Sequence, residues 1–412
     1  SHHPDNIKNK KDKDAEILQD VWYSNKNTHG KWSSPRNLGR PVNDEDLNAA
    51  ATASASGNGL FVLNLYNQDG SHQSGLSRSA VSDGKWSFPE QVKIEDYQAR
   101  SVEEGKSPTT EFAISHDEKV LIMGLSRLPS YGNNDLYVSF KRKNGSYSRP
   151  INMGSALNTA DNEGTPFLSA DNKTLYFNSE GHPGYGSADI FMSKRLDDTW
   201  TNWSEPLNLG PQINSNRWDA FFTIPASGEY AYMSSDFNSI GREDIFKINL
   251  FESIKPDPVV ILSSRVMEIG TQTVLNVPLS IKSNNDEINE KGLKLEFEEA
   301  SRTYKIILPV GYKYYLDAQS SGFIGSNDSI DLSSEKNYRE ITKNLFLTPV
   351  RAGHKMILAN LIFAQGRYKI QKSSYDELEK LIDIMKEYPA MEVLLEGHTD
   401  NQGDFTLNVK LA

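Results

Sequence analysis

The sequence predicts a mostly β, multidomain chain: a β-propeller, then a small β-sandwich, then an α/β unit that is incomplete at its carboxyl end. Three observations predict it. Short strand-like runs bounded by Gly, Asn and Asp recur at about 55-residue spacing through the first 250 residues. A further set of strand-like runs, without that period, fills about 90 residues after a Pro-rich linker. A helical apolar stripe and a Gly- and Asp-bearing turn then close the chain.

The repeat is carried by three words. The first is Trp32-Ser33-Ser34-Pro35-Arg36-Asn37-Leu38-Gly39, returning as Trp86-Ser87-Phe88-Pro89, Tyr147 to Gly154 and Trp203 to Gly210. Its prolines stand 54, 61 and 56 residues apart. The second is an acid before an apolar-aromatic pair: Asp20-Val21-Trp22, Asp135-Leu136-Tyr137, Asp189-Ile190-Phe191 and Asp244-Ile245-Phe246, with a degenerate copy near Leu76. The third is a hairpin, Phe167 to Phe177, with copies at Ala53 to Val62, Ile114 to Ile122 and Ile224 to Tyr232. Each unit holds four short strands, the content of one propeller blade, and alternating polarity argues against helical repeats. A four-stranded sheet cannot bury both faces alone, so neighbours must cover them.

The propeller is assigned to residues 1–252. Ser1-His2-His3-Pro4 before Asp20 mirrors Glu180-Gly181-His182-Pro183 before Asp189, so the first blade is expected to start at its third strand. Four later hairpins give at least five blades. Lys255-Pro256-Asp257-Pro258 reads as a linker. Residues 258–349 follow, with six or seven expected strands and a solvated loop at Asp286-Glu287-Ile288-Asn289-Glu290. Residues 350–412 form the last unit. Met356 to Phe363 is its first strand. Leu378, Leu381, Ile382 and Met385 make an amphipathic helix from Ser374 to Tyr388, with Ser374 and Glu377 as a capping box and Pro389 as its stop. Val393-Leu394-Leu395 reads as a short buried strand, leading into Glu396-Gly397-His398-Thr399-Asp400-Asn401-Gln402-Gly403 and Asn408-Val409-Lys410-Leu411.

That closing stretch resembles the OmpA-like peptidoglycan-binding domain, whose pattern is roughly G-H-T-D-x-x-G followed by N-x-x-L-S-x-x-R-A. The resemblance implies recognition of diaminopimelate in the stem peptide, with Asp400 taking the ammonium and the motif's arginine, beyond Ala412, a carboxylate. Thr399, Asn401 and Gly403 would shape the loop, and Asn408 would fix it to the helix. Read from residue type alone, Asp400 would instead cap the second helix. Ala364 stands where the family usually carries an acid, and 412 residues without the arginine are expected to bind wall peptide weakly. The blade words resemble TolB-type, WD-repeat-like propellers. Thr303 to Tyr314, with Gly322-Phe323, resembles carboxypeptidase regulatory-like domains. Together these imply a periplasmic, outer-membrane or wall-associated scaffold whose propeller binds an envelope protein, as in secretion or gliding machineries.

Composition bounds the chemistry. The chain has 412 residues, no cysteine and a net charge of -11 from 55 acids against 44 bases. Disulfides and thiolate sites are excluded, and the charge argues against nucleic acid. No run approaches the roughly 18 apolar residues of a membrane helix. No Gly-x-Ser-x-Gly elbow is present, and one His beside one Asp at 398–400 has no zinc spacing, so neither catalysis, cofactor nor metal is expected. A carbohydrate-binding or hydrolytic propeller moored to the wall is the alternative, but with 55 acids a carboxylate pair cannot be singled out. Asp135, Asp189 and Asp244 are expected to bond the turns of their blades, the tryptophans to pack, and His182 to Gly186 to form a turn from which Tyr185 could meet a partner.

Overall fold

Each repeat word finds its place in an antiparallel meander. A computed structural model of the chain describes residues 6–7, 19–54, 57–82, 84–101, 110–299, 301–351 and 375–394. The protein is mostly β, with many small sheets and few helices. Five sheets follow one another over residues 22–249. Sheet one pairs Trp22–Tyr23 with Arg36–Asn37. Sheet two holds Ala50–Ala53, Gly59–Tyr66 and His72–Ser82, the last also pairing Lys85–Trp86 and Glu90–Gln91. Sheet three runs Thr110–Ile114, Val120–Leu125, Asp135–Phe140, Ile151–Asn152. Sheet four runs Glu163–Leu168, Thr174–Ser179, Asp189–Lys194, Leu207–Asn208. Sheet five has three strands among the described residues: Asp219–Thr223, Tyr230–Ser235 and Asp244–Asn249. All four expected hairpins form the joints between first and second strands.

Period-two alternation explains why the sheets stack. In Val120–Leu125 every residue is buried, because successive side chains point to opposite faces and both faces are covered. Leu121, Met123 and Leu125 join Phe61, Leu76 and Tyr137 against sheet two. Val120 and Ile122 join Leu175, Phe177, Trp200 and Trp203 against sheet four. A third layer sets Tyr176, Ile190 and Met192 of sheet four against Phe222, Ala231 and Met233 of sheet five. The first strands of sheets two to five touch in succession. Sheet one also meets sheet five: the Trp32 and Tyr232 rings lie edge to face at 6.4 Å, and Lys26 Nζ sits 5.9 Å from the Tyr230 ring. Trp200 and Trp203 are packed as expected, whereas Trp32 is 55% exposed.

A polar clamp ends each complete repeat. The carboxylate opening the third strand accepts from the preceding turn: Asp135 from Tyr131 N (2.6 Å) and Gly132 N (3.1 Å), Asp189 from Tyr185 N and Gly186 N. Each also accepts from the amide of the fourth-strand asparagine, Asn152 (2.8 Å) or Asn208 (3.0 Å). In sheet one Asp20 takes Ile7 N and Asn37 Nδ2 at 2.8 and 2.6 Å. A second asparagine, six residues after the first, then mimics a strand. Asn43, Asn158 and Asn214 exchange two bonds each with the peptide after the acid: Val21, Leu136 and Ile190. Asn43, Asn158 and Asn214 escaped the sequence reading, although the six-residue spacing recurs three times. In sheet two Gly75 stands in the carboxylate's place, and only the backbone bond from Val92 N to Leu76 O persists.

By contact density the chain divides into two units. The first spans 1–265, 281–315 and 329–343. Besides the five sheets it contains a four-stranded sheet in the order Glu296–Glu298, Thr303–Pro309, Val259–Ser264, Arg339–Thr342. Within it the linker is clamped rather than free. Asp257 pairs with Lys194 (2.6 Å) and Lys173 (3.2 Å), and Tyr176 donates to Ile254 O at 2.6 Å. Burial opposes the Asp257 charge, but the two lysines outweigh it and hold the carboxyl below its usual value. The expected loop at 286–290 is helical instead, Asp286–Lys291, because Asn285 caps it through Ile288 N and Gly292, at a φ of 75°, stops it. The second unit spans 266–280, 316–328 and 344–412. Its described part holds a sheet of Val266–Glu268, Leu345–Pro349 and Phe323–Ile324, and the helix Tyr375–Glu387. Among the described residues ten strands lie between 259 and 349, more than the six or seven expected, because three of them are only two or three residues long and carry no sequence period.

The clamp predicts a graded mutational response. Asp189→Ala leaves three donors unpaired in a site 1% exposed and should cost on the order of 2–4 kcal/mol. Asp244→Ala, at the half-buried acid of sheet five, should cost less than about 1 kcal/mol. Urea unfolding of the two variants checks this, and equal losses would remove the clamp from the account.

Candidate functional site

The residues expected to hold the wall, Thr399, Asp400, Asn401, Gly403 and Asn408, lie outside the described residues, as do Met356 to Phe363 and Ser374. The described approach to them departs from expectation. The helix forms, but of its apolar stripe only Leu381 is buried; Ile382 and Met385 are 49% and 41% exposed. Tyr388 instead accepts Gly322 N at 2.7 Å. Val393 and Leu394 form no strand and Leu394 is 84% exposed, since none of the described residues supplies a ladder partner.

Among the described residues, the most unusual chemistry sits where the first strands meet. The first strands of sheets two, four and five each carry a register shift, at Ala50/Thr52, Gly164/Phe167 and Ala220/Thr223. Such bulges re-aim side chains. Thr165 and Phe221 occupy the equivalent bulge position with φ of 40° and 52°, and Phe221 is half exposed. The bulge in sheet four turns Thr165 N onto the Glu111 carboxylate of sheet three. Glycine is required beside it: a Cβ at 164 would fall 2.4 Å from Glu111 Oε2, and one at 124 would fall 3.3 Å away. Burial pushes the Glu111 carboxyl up to about 7, with the Thr165 N–H opposing. Glu163, next to the bulge, is buried and accepts from Thr159 N, Thr159 Oγ1 and Ser179 Oγ at 2.7–2.8 Å. Burial raises it too, against those bonds.

Glu111 can therefore carry or release a proton near neutrality, the property of a general acid or base. Nothing in the sequence marks it, because Glu111-Phe112-Ala113-Ile114 reads as an ordinary alternating strand. Among the described residues the histidines offer no triad. His72 bonds Asp44 at 2.9 Å, His116 bonds Asn172 at 3.1 Å, and His182 bonds Leu157 O at 2.9 Å. No group of three or more His, Asp or Glu among the described residues is placed to hold a metal. A concavity of about 660 Å³ opens in the loops of sheet five and is lined by residues that include Arg217, Asp236, Phe237, Ser239, Arg242 and Glu243. Tyr185, the candidate partner contact, is 54% exposed above the Asp189 turn.

No family model matches the chain. Outer membrane porin F of Pseudomonas aeruginosa is 41% identical over 50 residues, 12% of this chain and 14% of the porin, so the chain spans a small part of that relative's length. Among solved structures, TolB from Acinetobacter baumannii is 12% identical at a TM-score of 0.34, covering 70% of this chain and 59% of TolB. The periplasmic gluconolactonase of Pseudomonas aeruginosa is 13% identical at 0.31, covering 80% and 77%. An exo-β-1,3-galactanase from Phanerochaete chrysosporium is 10% identical at 0.36, covering 81% and 82%. At these values the structural likenesses carry no argument about activity. Because enzymes stand among them, the expectation of a chain without catalysis gains no support there.

Glu111 sets a pH signature. Its folded value lies above the unfolded one, so the native state binds the extra proton and stability falls as pH rises from about 4.5 to 7. Glu111→Gln should remove that slope and raise stability at pH 8 by an amount on the order of 2–3 kcal/mol. Thermal unfolding of both proteins from pH 5 to 8 reads it; parallel curves would contradict the assignment.

Proposed function

We propose that this is a cell-envelope protein that holds peptidoglycan through residues 350–412 and engages an envelope protein through the sheets of 1–252, with 258–349 between them in sequence. The observation that carries the reading is the word Gly397-His398-Thr399-Asp400, taken with the 50-residue likeness to an outer membrane porin. Stem-peptide diaminopimelate offers a free ammonium, and a carboxylate at a loop–helix junction is its complement. In this reading Asp400 binds the ammonium, Thr399, Asn401 and Gly403 shape the loop, and Asn408 ties it down. The location is the periplasmic face of the outer membrane or the wall. Membership in a secretion or gliding machinery is part of the proposal.

Cosedimentation with purified sacculi tests the mooring, comparing the protein with its Asp400→Ala variant. Asp400→Ala should weaken binding at least about tenfold, the cost of losing a charge-assisted bond. Undiminished binding would take Asp400 out of the site. A second reading, a hydrolytic propeller moored to the wall, is favoured by Glu111 alone. A glycan and peptide turnover screen addresses it: activity abolished by Glu111→Gln would replace the scaffold reading, and absence of turnover would leave Glu111 a buried acid of the hub.

A further inference from the structure

The third strand of sheet five is an edge built like the third strands of sheets three and four, but without their fourth-strand cover. Asp244, Ile245 and Gly241 stand in register with Asp189, Ile190 and Gly186, and with Asp135, Leu136 and Gly132. In sheets three and four the covering segment reads Asn-Met/Leu-Gly-x-x-Leu/Ile-Asn, at 152–158 and 208–214, and sheet one uses Asn37 to Asn43 in the same way. Its first Asn donates to the acid, its backbone bonds the next peptide (Met153 N to Leu136 O, 3.0 Å; Leu209 N to Ile190 O, 3.2 Å), and its last Asn closes the clamp. Its apolar pair covers the strand: Leu209 and Ile213 lie with Ile190, which is 1% exposed. The residues just after it abut the glycine, so that a Cβ at 132 would meet Thr159 O at 2.5 Å and one at 186 would meet Arg217 O at 2.2 Å.

Sheet five keeps the acid, the apolar residue and the glycine that receive the segment and, among the described residues, lacks the cover. Asp244 accepts only Ile240 N, at 2.7 Å. Ile245 is 78% exposed where Leu136 and Ile190 are buried, and Ile240 before it is fully exposed. Gly241 has nothing within 4 Å of where a Cβ would stand, yet glycine is retained where its counterparts need it for close approach. One feature is missing. Ile248 replaces the serines, Ser139 and Ser193, that clip Ser148 and Ser204 in the other sheets. Recognition is thus confined to the Asn-Gly-Asn half of the segment.

We propose that the Asp244–Asn249 edge is a docking site for an extended segment of a partner polypeptide carrying Asn-Leu/Met-Gly-x-x-Val/Leu/Ile-Asn, which adds as the fourth strand of sheet five. The first Asn meets Asp244, the second closes on the Ile245 peptide, and the two apolar residues cover Ile245. Strand addition supplies the affinity through the backbone, and the two Asn contacts supply the choice of sequence. The proposal goes beyond the wall-holding reading and stands whether or not the wall is bound.

The test titrates the 412-residue protein with a fluorescein-labelled peptide of the sequence Trp203 to Arg217, read by anisotropy, with hydrogen exchange to locate it. Saturable binding is expected, with new protection at 244–249. A peptide with Asn208→Ala and Asn214→Ala should bind at least about tenfold more weakly, as should the protein variant Asp244→Ala. Ile245→Lys, at a solvent-facing position that does not threaten the fold, should do the same, whereas Ser204→Ala in the peptide should change nothing. Absence of saturable binding, equal binding of the doubly substituted peptide, or protection at 189–194 instead would overturn the proposal. So would protection of 244–249 before peptide is added, in a monomer or in a dimer, since the edge would then already be taken.

Discussion

The structure depends on a carboxylate that is buried only because every lone pair facing the protein is answered. A fourth strand of two residues, such as Ile151–Asn152, makes too few ladder bonds to hold itself against the chain's entropy. The clamp makes up the difference. Asp135 gathers the turn before its strand and the asparagine of the next strand, and Asn158 then imitates a further strand with its amide. This arrangement fixes where one sheet ends and where the chain turns to begin the next. A buried charge of this kind is tolerated only with its donors in place, which ties the turn, the short strand and the return segment into one unit.

Close packing of successive sheets has a second consequence at the first strands. The backbones approach until only glycine fits, at 124 and 164, and the acid caught between them is largely shielded from water. Glu111 keeps one donor, a peptide N–H, against one peptide N–H and two hydroxyls for Glu163, and burial raises the Glu111 carboxyl to about 7. Both acids lie on edge strands of the same hub. Burial raises both carboxyls, opposed by three donors at Glu163 and by one at Glu111.

The two recognitions proposed for this chain have different origins. The wall-holding reading rests on a side chain chosen for a ligand's charge. The strand-docking reading rests on backbone geometry that the protein already uses on itself three times. They differ in physical origin, so variants at Asp400 and at Asp244 report on independent events.

Repetition made the fold legible. The words around Pro35, Pro150 and Pro206 and the acid–apolar pairs implied at least five sheets and located their joints, because each sheet is a local meander whose strands lie next to each other in sequence. The turn-bonding role of Asp135 and Asp189 was equally readable, since Asp before a strand has few other uses. The helix at Asp286–Lys291 was not readable, because six residues carry too little periodicity and its Asn285 cap looks like any loop asparagine. Glu111 and the exposed Ile245 were not readable either. Their sequence neighbourhoods match those of an outward-facing acid and a buried isoleucine, and only the presence or absence of a neighbouring sheet decides between the two. Sequence by itself determined the repeat, the strands of each repeat unit and the candidate wall-binding word, all of which are local. Tertiary structure alone decided which acid lost its water and which edge stayed open, because burial is set by segments distant along the chain.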